Sequence, residues 1–80
     1  MFTVYILKSV MFEGKTYVGF TSDLSSRLFA HNHPQNKGWT KRYQPWEILY
    51  FEFFDTKKEA MIREKYFKSG VGRKFIQTLL

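Results

Sequence analysis

Eighty residues make one domain with a small core, and a chain that is 44% hydrophobic and 20% aromatic must build that core largely from its nine Phe, five Tyr and two Trp. There is no cysteine, which excludes disulfide scaffolds, thiolate zinc sites and cysteine nucleophiles, and fits a reducing, cytoplasmic address. The formal charge of +6 gathers at the end, where residues 57–80 hold seven basic side chains against two acidic ones, a balance that suits either an anionic partner such as nucleic acid or a solvated, lysine-rich helix face.

No apolar run approaches the roughly 20 residues that cross a bilayer, and Met1–Val10 lacks the charged start and small-residue end of a signal peptide. Phe2–Ser9 reads as a strand, with Val4 and Ile6 on one face and Thr3, Tyr5 and Leu7 on the other. Both faces are apolar or aromatic, so both should be covered. Lys15–Phe20 reads as its hairpin partner, carrying Tyr17 and Gly19 on one face and Thr16, Val18 and Phe20 on the other. The turn-like Phe12-Glu13-Gly14 lies between them, and the register stays open because a connection of two or of six residues fits the sequence. Gly19 weakens a strand unless something must approach its backbone closely.

Thr21-Ser22-Asp23 offers three consecutive N-cap candidates, and the spacing after them predicts a helix from Leu24 to about Asn32. At roughly 100° per residue, Leu24, Leu28 and His31 share one face with Arg27 on its border, so Arg27 and His31 look toward the hairpin. An arginine on the inner edge of a short helix calls for a partner. Asn32–Pro45 is irregular, broken at His33-Pro34, Asn36-Lys37-Gly38 and Gln44-Pro45. Within it, Trp39 and Tyr43 are interleaved with Lys41 and Arg42, a mixture that either stacks bases and holds phosphates or lids the small core.

Trp46–Phe54 is the clearest strand, with Leu49, Phe51 and Phe53 on one face and Ile48, Tyr50, Glu52 and Phe54 on the other, and it too reads as sandwiched between layers. Thr56-x-x-Glu59 is a capping box that opens a helix from Lys57 to about Lys68, and Ser69-Gly70 stops it. The last segment, Gly72–Leu80, carries Phe75, Ile76, Leu79 and Leu80 at helical spacing and packs back onto the sheet. On the preceding helix, Ala60, Glu64, Phe67 and, if the helix extends so far, Val71 fall in a narrow arc, which puts a carboxylate inside the buried stripe. A charge there is costly without a cation: Arg27, a bound metal, or Arg63 and Lys68 beside it.

Should Tyr5, Tyr17, Arg27, His31 and Glu64 converge, the set can do phosphodiester chemistry. One carboxylate suffices for Mg²⁺ when water and a phosphate oxygen complete its octahedron. The metal and Arg27 would stabilise charge on the transition state and the leaving oxygen. A tyrosine or His31 would take the proton of the attacking water, His31 being the better matched by its ordinary pKa. Taken singly, two strand tyrosines are more often packing aromatics, and Arg27 with Glu64 could be a buried ion pair between helices. His31 and His33 without a third ligand make a poor zinc site, and His33 before Pro34 reads as a loop residue.

The ordered series Val4-Tyr5-Ile6, Tyr17-Val18-Gly19, Arg27 eight residues on and Glu64 in a later helix resembles the GIY-YIG nuclease superfamily, and in size the small, single-domain, UvrC-like bacterial proteins. The resemblance spans Phe2 to about Lys68. It implies an α+β fold over residues 1–80, with a three-stranded antiparallel sheet of order 2-1-3 flanked by helices. It further implies a DNA endonuclease using one Mg²⁺ or Mn²⁺ ion, with a role in repair or recombination. Tyr5 and Tyr17 match the motif tyrosines, Tyr17 as general base or water-orienting group. Gly19 matches the motif glycine, Arg27 the phosphate-contacting arginine and Glu64 the metal ligand. His31 matches a position that is His in homing-type members and Tyr in UvrC. Three departures stand out: Val4 replaces the first motif glycine, Phe20 a lysine that contacts phosphate in UvrC, and no asparagine follows Asn36.

Gly19, Lys37, Trp39, Lys41, Arg42 and Lys68 are the residues expected to meet nucleic acid. Eighty residues leave no room for a specificity module, so recognition falls to DNA structure or to a targeting protein. Two other readings accompany the enzyme: a catalytically weak nucleic-acid-binding module on the same basic surface, and a protein-interaction domain with a vestigial site.

Overall fold

The computed structural model describes residues 1–80. Strands β1 (Phe2–Ser9), β2 (Thr16–Thr21) and β3 (Trp46–Phe54) form an antiparallel sheet in the order β2-β1-β3. Helix α1 (Leu24–Asn32) and a 3₁₀ turn (Trp39–Tyr43) precede β3, and helices α2 (Lys57–Phe67) and α3 (Gly70–Leu79) follow it.

The helix starts are set by side chains. Asp23 Oδ1 accepts from the Ser26 amide at 3.1 Å at the head of α1, and Thr56 Oγ1 from the Glu59 amide at 3.2 Å at the head of α2. Ser69 both ends α2 and caps α3, accepting from the Gly72 amide, so α3 begins at Gly70 and not at the expected Gly72. Val71 therefore belongs to α3, where it is exposed, and is no part of the buried stripe of α2.

β1 separates two apolar layers. Val4 and Ile6, with Val18 of β2, pack against Ala60, Phe67 and Ile76 of α2 and α3. Tyr5 and Leu7 face the other way, against Trp46, Tyr17, Tyr43 and the Leu24 and Leu28 face of α1. The hairpin register pairs Tyr5 with Gly19 and Leu7 with Tyr17 across a six-residue connection, Val10–Lys15, in which Gly14 takes a positive φ of 82°.

β3 departs from the sequence expectation. Ile6 pairs with Tyr50 while Leu7 pairs with Ile48, so Leu49 bulges from the ladder and the side-chain alternation changes phase there. Leu49 joins Tyr50 and Phe54 against the α2–α3 layer, and Ile48 crosses to the face of Leu7. Nor is the strand sandwiched: Phe51 and Phe53 stand 46% and 60% exposed, with ring centroids 5.3 Å apart. The physical reason is reach: α1 is only nine residues long and its apolar residues pack toward the Tyr5–Trp46 end of the sheet.

Candidate active site

Pairing Tyr5 opposite Gly19 lays the phenol across the β2 backbone. A Cβ on Gly19 would stand 2.7 Å from Tyr5 Oη, 2.8 Å from Tyr5 Cζ and 3.0 Å from Tyr17 Cε2. This is the close approach that makes glycine the residue for the position. It also changes the expectation for Gly19, which is buried beneath the two phenols and not available to a nucleic acid.

Tyr5, Tyr17 and His31 form one cluster, with ring centroids 6.2 Å apart for the two tyrosines and 4.7 Å for Tyr17 and His31. His31 is buried, with Nε2 3.0 Å from Tyr5 Oη and Nδ1 3.0 Å from Thr40 Oγ1. Burial and the neighbouring Arg27 charge hold its pKa below the ordinary histidine value, so the ring is neutral at pH 7. Burial pushes the Tyr5 phenol above its ordinary value, while polar contact with Arg27 pulls the other way.

Arg27, although exposed, looks toward the hairpin as its place on the border of the inner face of α1 predicts: its head faces both phenols, and contact with Tyr5 above all raises its pKa. Arg27, Tyr17, His31 and Trp39 line a cleft of about 340 Å³. On the far side of Tyr17 and Trp39 a second groove of about 620 Å³ runs between β2 and α3, with Lys15, Lys68 and Arg73 along it. Trp39, 52% exposed, stands between the two, backed by Tyr43 at 4.9 Å and Trp46 at 5.9 Å between ring centroids.

Glu64 keeps 23% of its side chain exposed and has Lys68 Nζ 3.7 Å from Oε2. Of the cations that could meet it, Lys68 is the one in place. Arg63 turns instead to Glu52, with Nε–Oε1 at 2.7 Å and Nη2–Oε2 at 3.1 Å, and lies over the Tyr66 and Phe67 rings. Arg27 makes no ion pair with Glu64, so the two are not a buried bridge between helices; the Glu64 charge is felt at Tyr5, whose pKa it helps to raise. No three His, Asp or Glu side chains gather as a ligand cluster. A hard divalent ion fits Glu64 as the donor set stands: one partly exposed carboxylate, with water and phosphate oxygens supplying the rest.

The other expected contacts are scattered. Lys37 is exposed, Lys41 reaches back to the Pro34 carbonyl, and Arg42 lies 5.8 Å from the centroid of the Tyr43 ring. Sequence reasoning missed Lys15 and Arg73, which need the α3–β2 packing to meet, and Thr40 and Asn36 behind His31. For Asn36 a signal existed, since Asn36-Lys37-Gly38 forms an Asx turn with Gly38 N 2.8 Å from Oδ1.

The chain has relatives in both sequence and fold. The UPF0213 protein SSP2268 of Staphylococcus saprophyticus is 38% identical over 76 residues, covering 95% of this chain and 90% of its own. The UPF0213 protein CPE1444 of Clostridium perfringens is 42% identical over 76 residues, covering 95% and 80%. The solution NMR structure of the UPF0213 protein BH0048 from Bacillus halodurans superposes with a TM-score of 0.56 at 28% identity, covering 99% of this chain and 85% of that one. The model of the GIY-YIG catalytic domain matches residues 1–76, and on that match, with relatives aligned over most of their own length, this chain belongs to the GIY-YIG family.

Proposed function

We propose that the chain is a metal-dependent DNA endonuclease that nicks one strand by hydrolysis, recognising DNA structure rather than sequence. The observation that carries this reading is the convergence of Tyr17, Arg27 and His31 on one cleft, with Tyr5 bonded behind His31 and a basic groove on the other side of Tyr17.

Arg27 anchors the scissile phosphate and offsets the charge that grows on it. A divalent ion on Glu64 would supply Lewis-acid charge to the phosphate and the leaving oxygen. Tyr17, in the cleft beside the Arg27 head, orients the attacking water and, acting as a phenolate, takes its proton to become the neutral phenol. His31 is better matched to that task by its ordinary pKa, but both of its ring nitrogens are engaged within the protein, so it acts on Tyr5 and not on water. Lys15, Lys68 and Arg73 hold the phosphates on one side of the cut, and Trp39 gives a base a surface to stack on. A role in repair or recombination, with a targeting protein, belongs to the same reading.

The test is relaxation of supercoiled plasmid with Mg²⁺ or Mn²⁺, comparing the native protein with Tyr17→Phe and Glu64→Ala purified in parallel. Nicking falls roughly 10²-fold or more in both variants, while DNA affinity stays within a few fold. Equal nicking by all three overturns the catalytic assignment. Salt-sensitive binding without nicking by the native protein leaves a nucleic-acid-binding module.

A further inference from the structure

We propose that the tip of the β1–β2 connection is an apolar wedge: Met11, backed by Phe12, enters DNA at a weakened base step, with Lys15 and Arg42 on the flanking phosphates. The proposal rests on the DNA reading above for its partner, and it names the feature of DNA structure that the chain recognises.

Val10, Met11 and Phe12 are 55%, 70% and 46% exposed. Hairpin connections are ordinarily built from Gly, Asn, Asp, Ser and Pro. Single apolar side chains on a surface are common, but three in succession at one tip mark a contact. The tip is also held firmly in place. Ser9 Oγ donates to the Tyr43 carbonyl at 2.7 Å and accepts from the Phe12 amide at 3.0 Å. The Val10 amide donates to the Pro45 carbonyl at 2.9 Å, and the Lys15 amide to the Phe12 carbonyl at 3.2 Å. A loop ordered in advance loses little freedom when it meets a partner.

Position selects that partner. The same connection supplies Gly14 and Lys15 to the wall of the groove that holds Lys68 and Arg73, so a strand that follows the groove runs against the foot of the tip. There Phe12 meets the Tyr43 ring edge-on at 5.2 Å between centroids, while Lys15 Nζ and Arg42 Cζ lie 5.2 Å and 5.8 Å from the centre of that ring. An apolar point with cations at its base matches stacked bases bordered by phosphates. Glu13, the acidic side chain of the connection, is exposed and makes no ion pair, so a tip laid along the phosphates would meet repulsion. What the tip offers is its apolar surface.

Methionine and phenylalanine wedges enter between base pairs at the expense of unstacking them. A mismatch or junction has already lost part of that stacking, and is therefore favoured whatever its sequence. From the tip, aromatic rings run on toward the cleft: Phe12 to Tyr43, Tyr43 to Trp39 at 4.9 Å, and Trp39 to Tyr17 at 6.3 Å between centroids. These spacings bound the reach from Phe12 to Tyr17 at about five base steps of roughly 3.4 Å each. The wedge thus places the cut within about five nucleotides of the weakened step.

The test needs no metal and no turnover: binding to a duplex with the adenine analogue 2-aminopurine, whose fluorescence rises on unstacking, set at a single mismatch, beside the fully matched duplex. The native protein binds the mismatched duplex roughly tenfold or more tightly than the matched one and raises its fluorescence. Met11→Ser loses both effects, yet keeps its affinity for the matched duplex and its salt slope, because no charge is removed. Met11→Lys separates a wedge from a surface contact: added charge tightens binding to the matched duplex, and the mismatch preference still disappears. Equal binding of the two duplexes by the native protein, or a preference that survives either substitution, overturns the proposal. So does a Met11→Ser protein that loses self-association and nothing else, since the tip would then be a contact between copies. Nicking without any mismatch preference removes the wedge and leaves the nuclease reading standing; a Met11-dependent preference in a protein that nicks no plasmid does the reverse.

Discussion

Gly19→Ala sets two effects against each other, and the structure decides between them. On backbone preference alone, alanine in a strand interior is the better residue by about 0.5–1 kcal/mol. The new methyl, however, would lie 2.7 Å from Tyr5 Oη and 2.8 Å from Cζ, where comfortable contact between non-bonded carbons needs about 3.5–4.0 Å. The Tyr5 ring must therefore move by roughly 1 Å, and it is fully buried against Leu7 and Trp46. The atom nearest the methyl is the hydroxyl that bonds His31 at 3.0 Å, so that bond is strained together with the packing. Overpacking costs about 1–3 kcal/mol and a damaged buried hydrogen bond a similar amount, not additively. Net of the propensity gain, the variant should be about 1–3 kcal/mol less stable. For a domain of this size that is a fall in Tm of roughly 5–20 °C. Urea and thermal unfolding of Gly19→Ala beside Gly70→Ala make the assay, since Gly70 has nothing within 4 Å of its would-be Cβ. The control should gain about 0.4–1 kcal/mol. A Gly19→Ala protein as stable as the native one would refute the reasoning, because it would show that the phenol has room to retreat.

The remaining expectations address charge and surface. Because the His31 pKa is lowered in the fold, the unfolded chain takes up a proton, near its ordinary value of about 6.5, that the native protein refuses. Stability is therefore fully present above that value and declines as the pH falls below it; urea melts between pH 7.5 and 5.5 should show the loss, and His31→Gln should flatten it. Asp23 and Glu52, held below their ordinary values by bonds from Ser26 and Arg63, act in the same direction but only at still lower pH. Arg73→Ala and Lys15→Ala should each weaken DNA binding and reduce the slope of log affinity against log salt by about 1 if these groups contact phosphate; an unchanged slope removes them from the path. Phe53→Lys on the free edge strand should change stability by no more than about 1 kcal/mol and reduce self-association at high concentration, read by light scattering. A large stability loss would mean that the exposed Phe51–Phe53 pair is itself a packing element.

The starts of α1 and α2 were legible because punctuation residues carry their own chemistry: Asp23 and Thr56 bond the first free amides of these helices wherever the rest of the chain goes. The bulge at Leu49 was not. Trp46–Phe54 is apolar on both faces, so its alternation reads equally well in either phase, and only pairing with the buried β1 chooses one. The same dependence hid the fate of Arg63. Its attraction to Glu52 needs α2 to be packed across β3, whereas the Glu64–Lys68 contact follows from helical spacing alone. Tyr5, Tyr17, Arg27 and His31 were found by their order along the chain. Thr40 and Asn36 were not, because their contacts exist only once a 3₁₀ turn has curled a loop behind His31.

β1 has no solvent side along Val4–Leu7, since Val4 and Ile6 belong to one apolar layer and Tyr5 and Leu7 to the other. Neither layer can open without uncovering the back of the other, so the molecule has no expendable half. Amide exchange in β1 should run close to the rate of global unfolding. A small cavity cut at Phe67 or Ile76, on the face of the sheet opposite Tyr5, is then transmitted to Tyr5 through a single thickness of backbone. In so thin a protein, the precision of the tyrosine is inherited from side chains packed against the opposite face of its own strand.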